Sequence, residues 1–207
     1  MVVMSADDDA RRLQAANPTG WFEELYAQAD AGTASVPWDV PHPQPHLVEW
    51  AASSDGTGQR ALVVGCGLGR DSEFLASRGY EVTAFDISPT AIAAVQARHP
   101  DSKVSYVVAD LLNPPAEWHR GFDLVVENMT VQALPVQMHA EATAKVSWLT
   151  GSTLLVLAVA RDEGPAPDGP PWPLTPSEVE AFAADGLTTR STRRDNGRWV
   201  AEFGRGN

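Results

Sequence analysis

The run Arg60-Ala61-Leu62-Val63-Val64-Gly65-Cys66-Gly67-Leu68-Gly69-Arg70-Asp71 decides the fold. Four consecutive apolar residues, 61–64, signal a short strand buried on both faces, the kind found in parallel sheets. The alternating glycines then permit a tight turn at positive φ and close approach of a ligand to the backbone. A helix-like stretch follows over 70–78. Outward from this unit the alternation repeats. Residues 81–85 read as a strand ended by Asp86, and Pro89 opens a helix to about residue 98. Residues 104–108 form a third strand ending near Asp110, and 122–126 a fourth ending at Glu127. A helix over 136–149 and a fifth strand over 153–160 complete the series. Thr175-Pro176-Ser177-Glu178 carries a helix-start signature, and strands over 187–193 and 198–203 join through Asp195-Asn196-Gly197 as a hairpin. This order predicts an α/β fold with a doubly wound, Rossmann-like, mostly parallel sheet.

Upstream, residues 21–27 place large apolar groups at helical spacing. Residues 37–45 hold four prolines and cannot be regular helix, whereas 46–52 can. Residues 1–17 are polar and acidic and read as a loosely docked start. The expectation is a single domain over 1–207, with a core over 59–207 and a helical, Pro-rich extension over 1–58 covering its site.

The chain has 207 residues, 27 acidic against 15 Lys and Arg, for a net charge of −12. Binding nucleic acid means replacing phosphate counterions with cations, so this charge argues against such a partner. No apolar run approaches the ~20 residues that span a bilayer, the N-terminus lacks a basic-then-apolar leader pattern, and a single cysteine excludes an internal disulfide framework. A cytoplasmic protein, monomeric or homodimeric and without a membrane partner, is expected. Five arginines against Asp195 and Glu202 make the stretch from Gly186 onward basic, so the acidity is concentrated before it.

A glycine-rich turn alone is equally a tight strand-to-helix connection with no ligand. Asp86, Asp110 and Glu127, each at the carboxyl end of a strand, favour a nucleoside-type ligand, because ligands of open parallel sheets sit there. Asp86 stands where a carboxylate accepts both ribose hydroxyls. A dinucleotide fingerprint needs glycine at position 70, and this chain has Arg70 followed by Asp71. The acidic surroundings suit a cationic ligand, and S-adenosylmethionine carries an ammonium and a sulfonium without phosphate.

These residues, with Ala84-Phe85-Asp86-Ile87-Ser88, resemble the motifs of class I S-adenosylmethionine-dependent methyltransferases, which have a seven-stranded sheet. Pro37-Trp38-Asp39, Pro43-Gln44-Pro45, Ala133-Leu134-Pro135 and Gly169-Pro170-Pro171-Trp172 narrow the resemblance to the thiopurine, thiol and halide methyltransferase branch. The resemblance implies that Gly65, Cys66, Gly67 and Gly69 pass beneath the methionine moiety with Asp71 close by. It implies that Asp86 holds the ribose, that Ile87 flanks the adenine, and that Asp110, Leu111 and Glu127 complete the cofactor's surroundings. Trp21, Tyr26, Trp38 and Asp39 would belong to the element that covers the cofactor and shapes the acceptor site. The branch often has arginine where this chain has Pro41-His42 and His139, which puts an anionic acceptor in doubt.

Cys66 reads as a small packing residue, since direct methyl transfer needs no covalent enzyme intermediate. The five histidines show no metal-ligand spacing, and no metal is expected. His42 is a candidate general base, set against an exposed loop histidine. Met129, Thr130, Gln132 and Trp172 are candidates for acceptor contact, set against ordinary loop residues. The function expected is methyl transfer from S-adenosylmethionine to a small-molecule nucleophile, first a thiol or thiopurine-like sulfur. O- or N-methylation of a small aromatic metabolite, a non-catalytic nucleoside-binding module and a dinucleotide-dependent oxidoreductase are the alternatives. The acidic field tilts the expectation toward acceptors that arrive neutral.

Overall fold

The structure is a computed structural model that describes residues 13–14, 17 and 20–206. Its elements are α1 (Trp21–Asp30), α2 (Pro45–Ala51), β1 (Arg60–Val64), α3 (Arg70–Ser77), β2 (Glu81–Asp86), α4 (Pro89–Arg98), β3 (Ser105–Val108), β4 (Phe122–Asn128), α5 (Val136–Leu149), β5 (Thr150–Val159), α6 (Pro176–Glu180), β6 (Leu187–Asp195) and β7 (Arg198–Arg205). The strands form one seven-stranded sheet in the order β3-β2-β1-β4-β5-β7-β6. Strands β1 to β5 run parallel, and β7 enters antiparallel between β5 and β6. The doubly wound architecture expected from the sequence is present.

Both faces of the sheet are covered, as a central apolar strand requires. From β1, Leu62 and Val64 turn to a core with Phe85, Val125 and the α5 residues Ala142, Val146 and Leu149. Ala61 and Val63 turn to a second core with Val82, Ala84, Leu124 and Leu75 of α3. The edge strand β6 is polar and exposed over nearly its whole length, a composition that discourages edge-to-edge pairing. Asn196 and Gly197 take φ of 47° and 75°, the left-handed pair expected of the hairpin turn. Thr175 and Glu178 form the reciprocal capping box that opens α6. Strand β5 begins at Thr150, three residues before the sequence pattern indicates, because Thr150 pairs with Phe122 ahead of a register shift in β4.

Residues 1–12 lie outside the described residues, as do 15–16, 18–19 and 207. Leu13 is described and is buried against Trp21 and Leu25, so this part of the start is packed rather than loose. Glu23 of α1 accepts hydrogen bonds from Ser88 Oγ, Thr90 N and Thr90 Oγ1, docking the helix on the start of α4. Among the described residues no helix is long and apolar enough to cross a membrane.

Candidate active site

The parallel strands end in register. Val64 stands opposite Phe85 and Glu127, and Asp86 stands opposite Val108. The chain leaves β1 toward β2 and β3 on one side and returns to β4 and β5 on the other. The carboxyl ends therefore splay at β1, the switch point where ligands of such sheets bind. A cavity of about 810 Å³ lies there.

Its floor is the glycine turn. Gly65, Gly67 and Gly69 have φ of 59°, 50° and 82°, conformations that a Cβ penalises. Their neighbours differ. A Cβ on Gly65 would meet Thr130 at 2.4 Å, and one on Gly69 would meet Val95 and Tyr106 at 2.4 and 2.5 Å, so both glycines serve packing. The atoms nearest a Cβ on Gly67 would be the hydroxyl of Tyr26, at 2.9 Å, and the Trp38 indole, two side chains that also line the cavity. Gly67 thus lets the turn and its cover approach to van der Waals contact, where any side chain would push Tyr26 and Trp38 out of place.

The roof comes from the N-terminal element. Trp38 Nε1 donates to Tyr26 Oη at 2.7 Å, and Trp21 meets the Trp38 ring edge-on at 5.9 Å. Burial, with the nearby Asp86 charge, pushes the Tyr26 hydroxyl well above its ordinary range, so the pair stays neutral. Three pins tie the roof to the core. Arg98 holds Asp39 bidentately at 2.9 Å, Arg70 Nε donates to Val40 O at 3.0 Å, and Gln44 N donates to Asp71 Oδ1 at 2.8 Å.

Acidic side chains gather on one side. Asp86 is buried and accepts from Gly67 N and Ser88 N, both at 3.0 Å, so it shapes the turn as well as lining the cavity. Burial pushes its carboxyl up against the pull of those backbone donors. Ile87, beside it, exposes 39% of its surface toward a cavity it helps line. Asp110 and Leu111 follow β3 and line the same wall. Asp71 is half-buried, raised by burial, and also accepts from Asn128 Nδ2 at 2.8 Å. Burial likewise pushes the Cys66 thiol well up, so it is no nucleophile.

Three residues named from the sequence do not line the cavity. Glu127 is fully buried, and its Oε1 accepts from Thr130 N and Val131 N at 2.7 and 2.9 Å. It builds the turn on which Met129 takes a φ of 64°, and burial pushes its carboxyl up to about 7. Asp39 is committed to Arg98, and Trp172 packs over Gly169, leaving Pro170 and Pro171 to face the cavity. His42 lines the cavity from an exposed loop, its Nδ1 3.3 Å from Pro43 O. His139 sits away from the cavity between Glu178 and Leu134 O. His46, Glu49 and Asp195 lie close together, but Arg193 already bridges the two carboxylates. Trp21, Tyr26, Trp38, Met129, Thr130 and Gln132 do line the cavity. So do Gln44, Asn128, Met138 and Arg198, which sequence reasoning missed. For Asn128 the position at the end of β4 was a usable signal; for Arg198 nothing in the sequence separates it from its neighbouring arginines.

Residues 61–150 match the family described as methyltransferase domain. A probable thiol methyltransferase 2 of Arabidopsis thaliana is 31% identical over 188 residues, covering 86% of this chain and 77% of that protein. Among solved structures, the one describing conversion of a disulfide bond into a thioacetal group during echinomycin biosynthesis superposes with a TM-score of 0.72. It is 22% identical and covers 90% of this chain and 91% of its own. The N-methyltransferase NodS of Bradyrhizobium japonicum WM9, crystallised with S-adenosyl-L-homocysteine, superposes with a TM-score of 0.68. It is 18% identical and covers 92% of this chain and the whole of its own.

Proposed function

The chain belongs to the class I S-adenosylmethionine-dependent methyltransferases, and from that premise we propose that its methyl acceptor is a small-molecule thiol. It is an enzyme, its cofactor is S-adenosylmethionine, and its acceptor is a small molecule. The observation that carries the finer reading is the likeness to the Arabidopsis thiol methyltransferase, which extends over most of both chains.

In this reading the cofactor's adenosine lies against Asp86, Ile87, Asp110 and Leu111, with Asp86 accepting from the ribose. Its amino-acid end runs along the glycine turn beside Trp21, Tyr26 and Trp38, toward the acidic Asp71. The cavity at the glycine turn and the acids that line it support the fit. Bound there, S-adenosylmethionine supplies a methyl group on a sulfonium, a leaving group that needs no proton. The chain's own task is alignment and exclusion of water, and positioning alone can lower a barrier by ~7–11 kcal/mol.

The titratable groups around the cavity favour an acceptor that ionises unaided. Tyr26 and Cys66 keep their protons, and Asp71 and Asp86 are occupied by backbone and amide donors. His46 is engaged by Asp195 at 3.0 Å, which leaves His42 as the one imidazole there without a side-chain partner among the described residues. A thiol needs little help to reach its thiolate near neutral pH, and a dry cavity strips the hydration that blunts a soft anion. Release of S-adenosylhomocysteine with matched thiols, phenols and anilines tests this. Thiols should exceed their oxygen and nitrogen counterparts by at least tenfold in kcat/KM. A higher value for the phenol or the amine of a matched set would assign O- or N-methylation instead.

A further inference from the structure

The cavity lining also holds a cation that no carboxylate neutralises among the described residues. Arg198 opens β7 directly opposite Val159, the last residue of β5, which brings its side chain to the carboxyl edge of the sheet and into the cavity lining. Every other arginine of the β6–β7 hairpin is held by a carboxylate. Arg190 pairs with Glu202, Arg193 with Glu49 and Asp195, Arg194 with Asp162, and Arg205 with Asp185. Asp195 faces Arg198 across the hairpin, yet its carboxylate is taken by His46 and Arg193. Among the described residues Arg198 forms no ion pair, and its one hydrogen-bond acceptor is the thioether of Met129 at 3.1 Å. A thioether is a weak acceptor, poorly matched to a half-buried guanidinium.

A second unmatched donor belongs to the same cavity lining. Gln132 is fully buried and lines the same cavity; its Oε1 accepts from Val159 N at 2.6 Å, on the very residue paired with Arg198. Its Nε2 is buried without a partner. Buried donors are nearly always satisfied, and leaving one unpaired costs about 1–3 kcal/mol. A cationic fork without an ion pair and an orphan amide donor in the lining of one cavity, both linked to Val159, suit oxygen acceptors.

We propose that Arg198 and Gln132 form a subsite for a carboxylate on the methyl acceptor, so that the substrate is a small anionic molecule with its nucleophile directed toward the glycine turn. The planar fork of arginine matches a carboxylate bidentately. One cation facing one neutral donor, in a chain of net charge −12, fits a monoanion better than a phosphate dianion. The acidic field pointed toward neutral acceptors; the local cation outweighs it, because its charge lies in contact with the ligand, whereas the distributed acids are screened beyond ~8 Å. Read with the proposed thiol chemistry, the acceptor class is a mercapto-carboxylic acid.

The test separates the subsite from the nucleophile. Benzoate and benzamide have the same shape and lack the thiol, and S-adenosylhomocysteine has no methyl to transfer, so their binding to the chain saturated with it reports the subsite alone. Calorimetry should show benzoate binding at least tenfold more tightly than benzamide. That ratio should fall to near one in Arg198→Gln, and it should fall in Glu-for-Gln exchange at position 132, Gln132→Glu, which keeps the acceptor for Val159 N but loses the free donor. Arg198→Lys should retain part of the preference. A ratio near one in the wild type, or one unmoved by Arg198→Gln, would overturn the subsite. Methyl transfer to 4-mercaptobenzoate and 4-mercaptobenzamide supplies the other arm. Carboxylate preference in binding with no transfer to either thiol leaves the subsite standing and removes the thiol reading; efficient transfer to both thiols alike removes the subsite alone.

Discussion

Asp86→Ala should weaken S-adenosylhomocysteine binding by at least tenfold and toward a hundredfold, measured by calorimetry on folded protein. Two losses combine. The proposed ribose contact is a hydrogen bond to a charged group, worth about 1.5–3 kcal/mol. The same carboxylate receives Gly67 N and Ser88 N, so its removal also releases the turn over which the cofactor is proposed to pass. Asp86→Asn separates the two, since an amide oxygen of the same size can keep one backbone bond while losing the charge; its affinity should fall between those of wild type and Asp86→Ala. A thermal melt distinguishes lost affinity from lost fold. Unchanged affinity in Asp86→Ala would remove Asp86 from the cofactor site.

Gly67→Val should abolish measurable methyl transfer and reduce cofactor affinity by more than a hundredfold. A left-handed conformation costs an ordinary residue roughly 1–2 kcal/mol, and more when the side chain is β-branched. The larger effect is spatial. The added Cβ alone would lie 2.9 Å from Tyr26 Oη, so the two methyl groups would force Tyr26 and Trp38, both lining the cavity, away from the turn. Gly58→Ala is the control, because Gly58 has a φ of 73° with nothing within 4 Å of its added Cβ. It should lower the melting temperature modestly and leave cofactor affinity alone. If Gly67→Val bound S-adenosylhomocysteine as the wild type does, the packing of Tyr26 and Trp38 on the turn would play no part in holding the ligand.

The left half of the sheet was legible because its signals are local. An apolar run, three glycines and an acid at the end of the next strand specify β1, the turn and Asp86 within one short segment, and the structure keeps them in that order. Errors arose where a long-range partner decides. Asp39 stands beside Trp38 in a loop that does cover the cavity, but its carboxylate is captured by Arg98 of α4, a pairing no spacing announces. Glu127 ends its strand in the same manner as Asp86, yet the chain after it turns back at once and buries the carboxylate under the Thr130 and Val131 amides. Arg198 is the converse case. Five arginines in a basic tail look alike in sequence, and only the antiparallel entry of β7 brings one of them to the cavity while its neighbours find acids. Trp172 shows the same limit on a smaller scale: the Gly-Pro-Pro-Trp segment reaches the cavity, but through its prolines.

The cofactor is proposed to sit in the cavity at the glycine turn, walled by Trp38, with the acceptor beyond it toward Arg198. A crystal structure with S-adenosylhomocysteine bound measures this directly. The expected result is the ribose hydroxyls on Asp86, the adenine beside Ile87 and Leu111, and the thioether sulfur beside the glycine turn with its open side toward Met129 and Arg198. An adenosyl group bound elsewhere, or seated in the cleft with its sulfur turned away from Arg198, would contradict it.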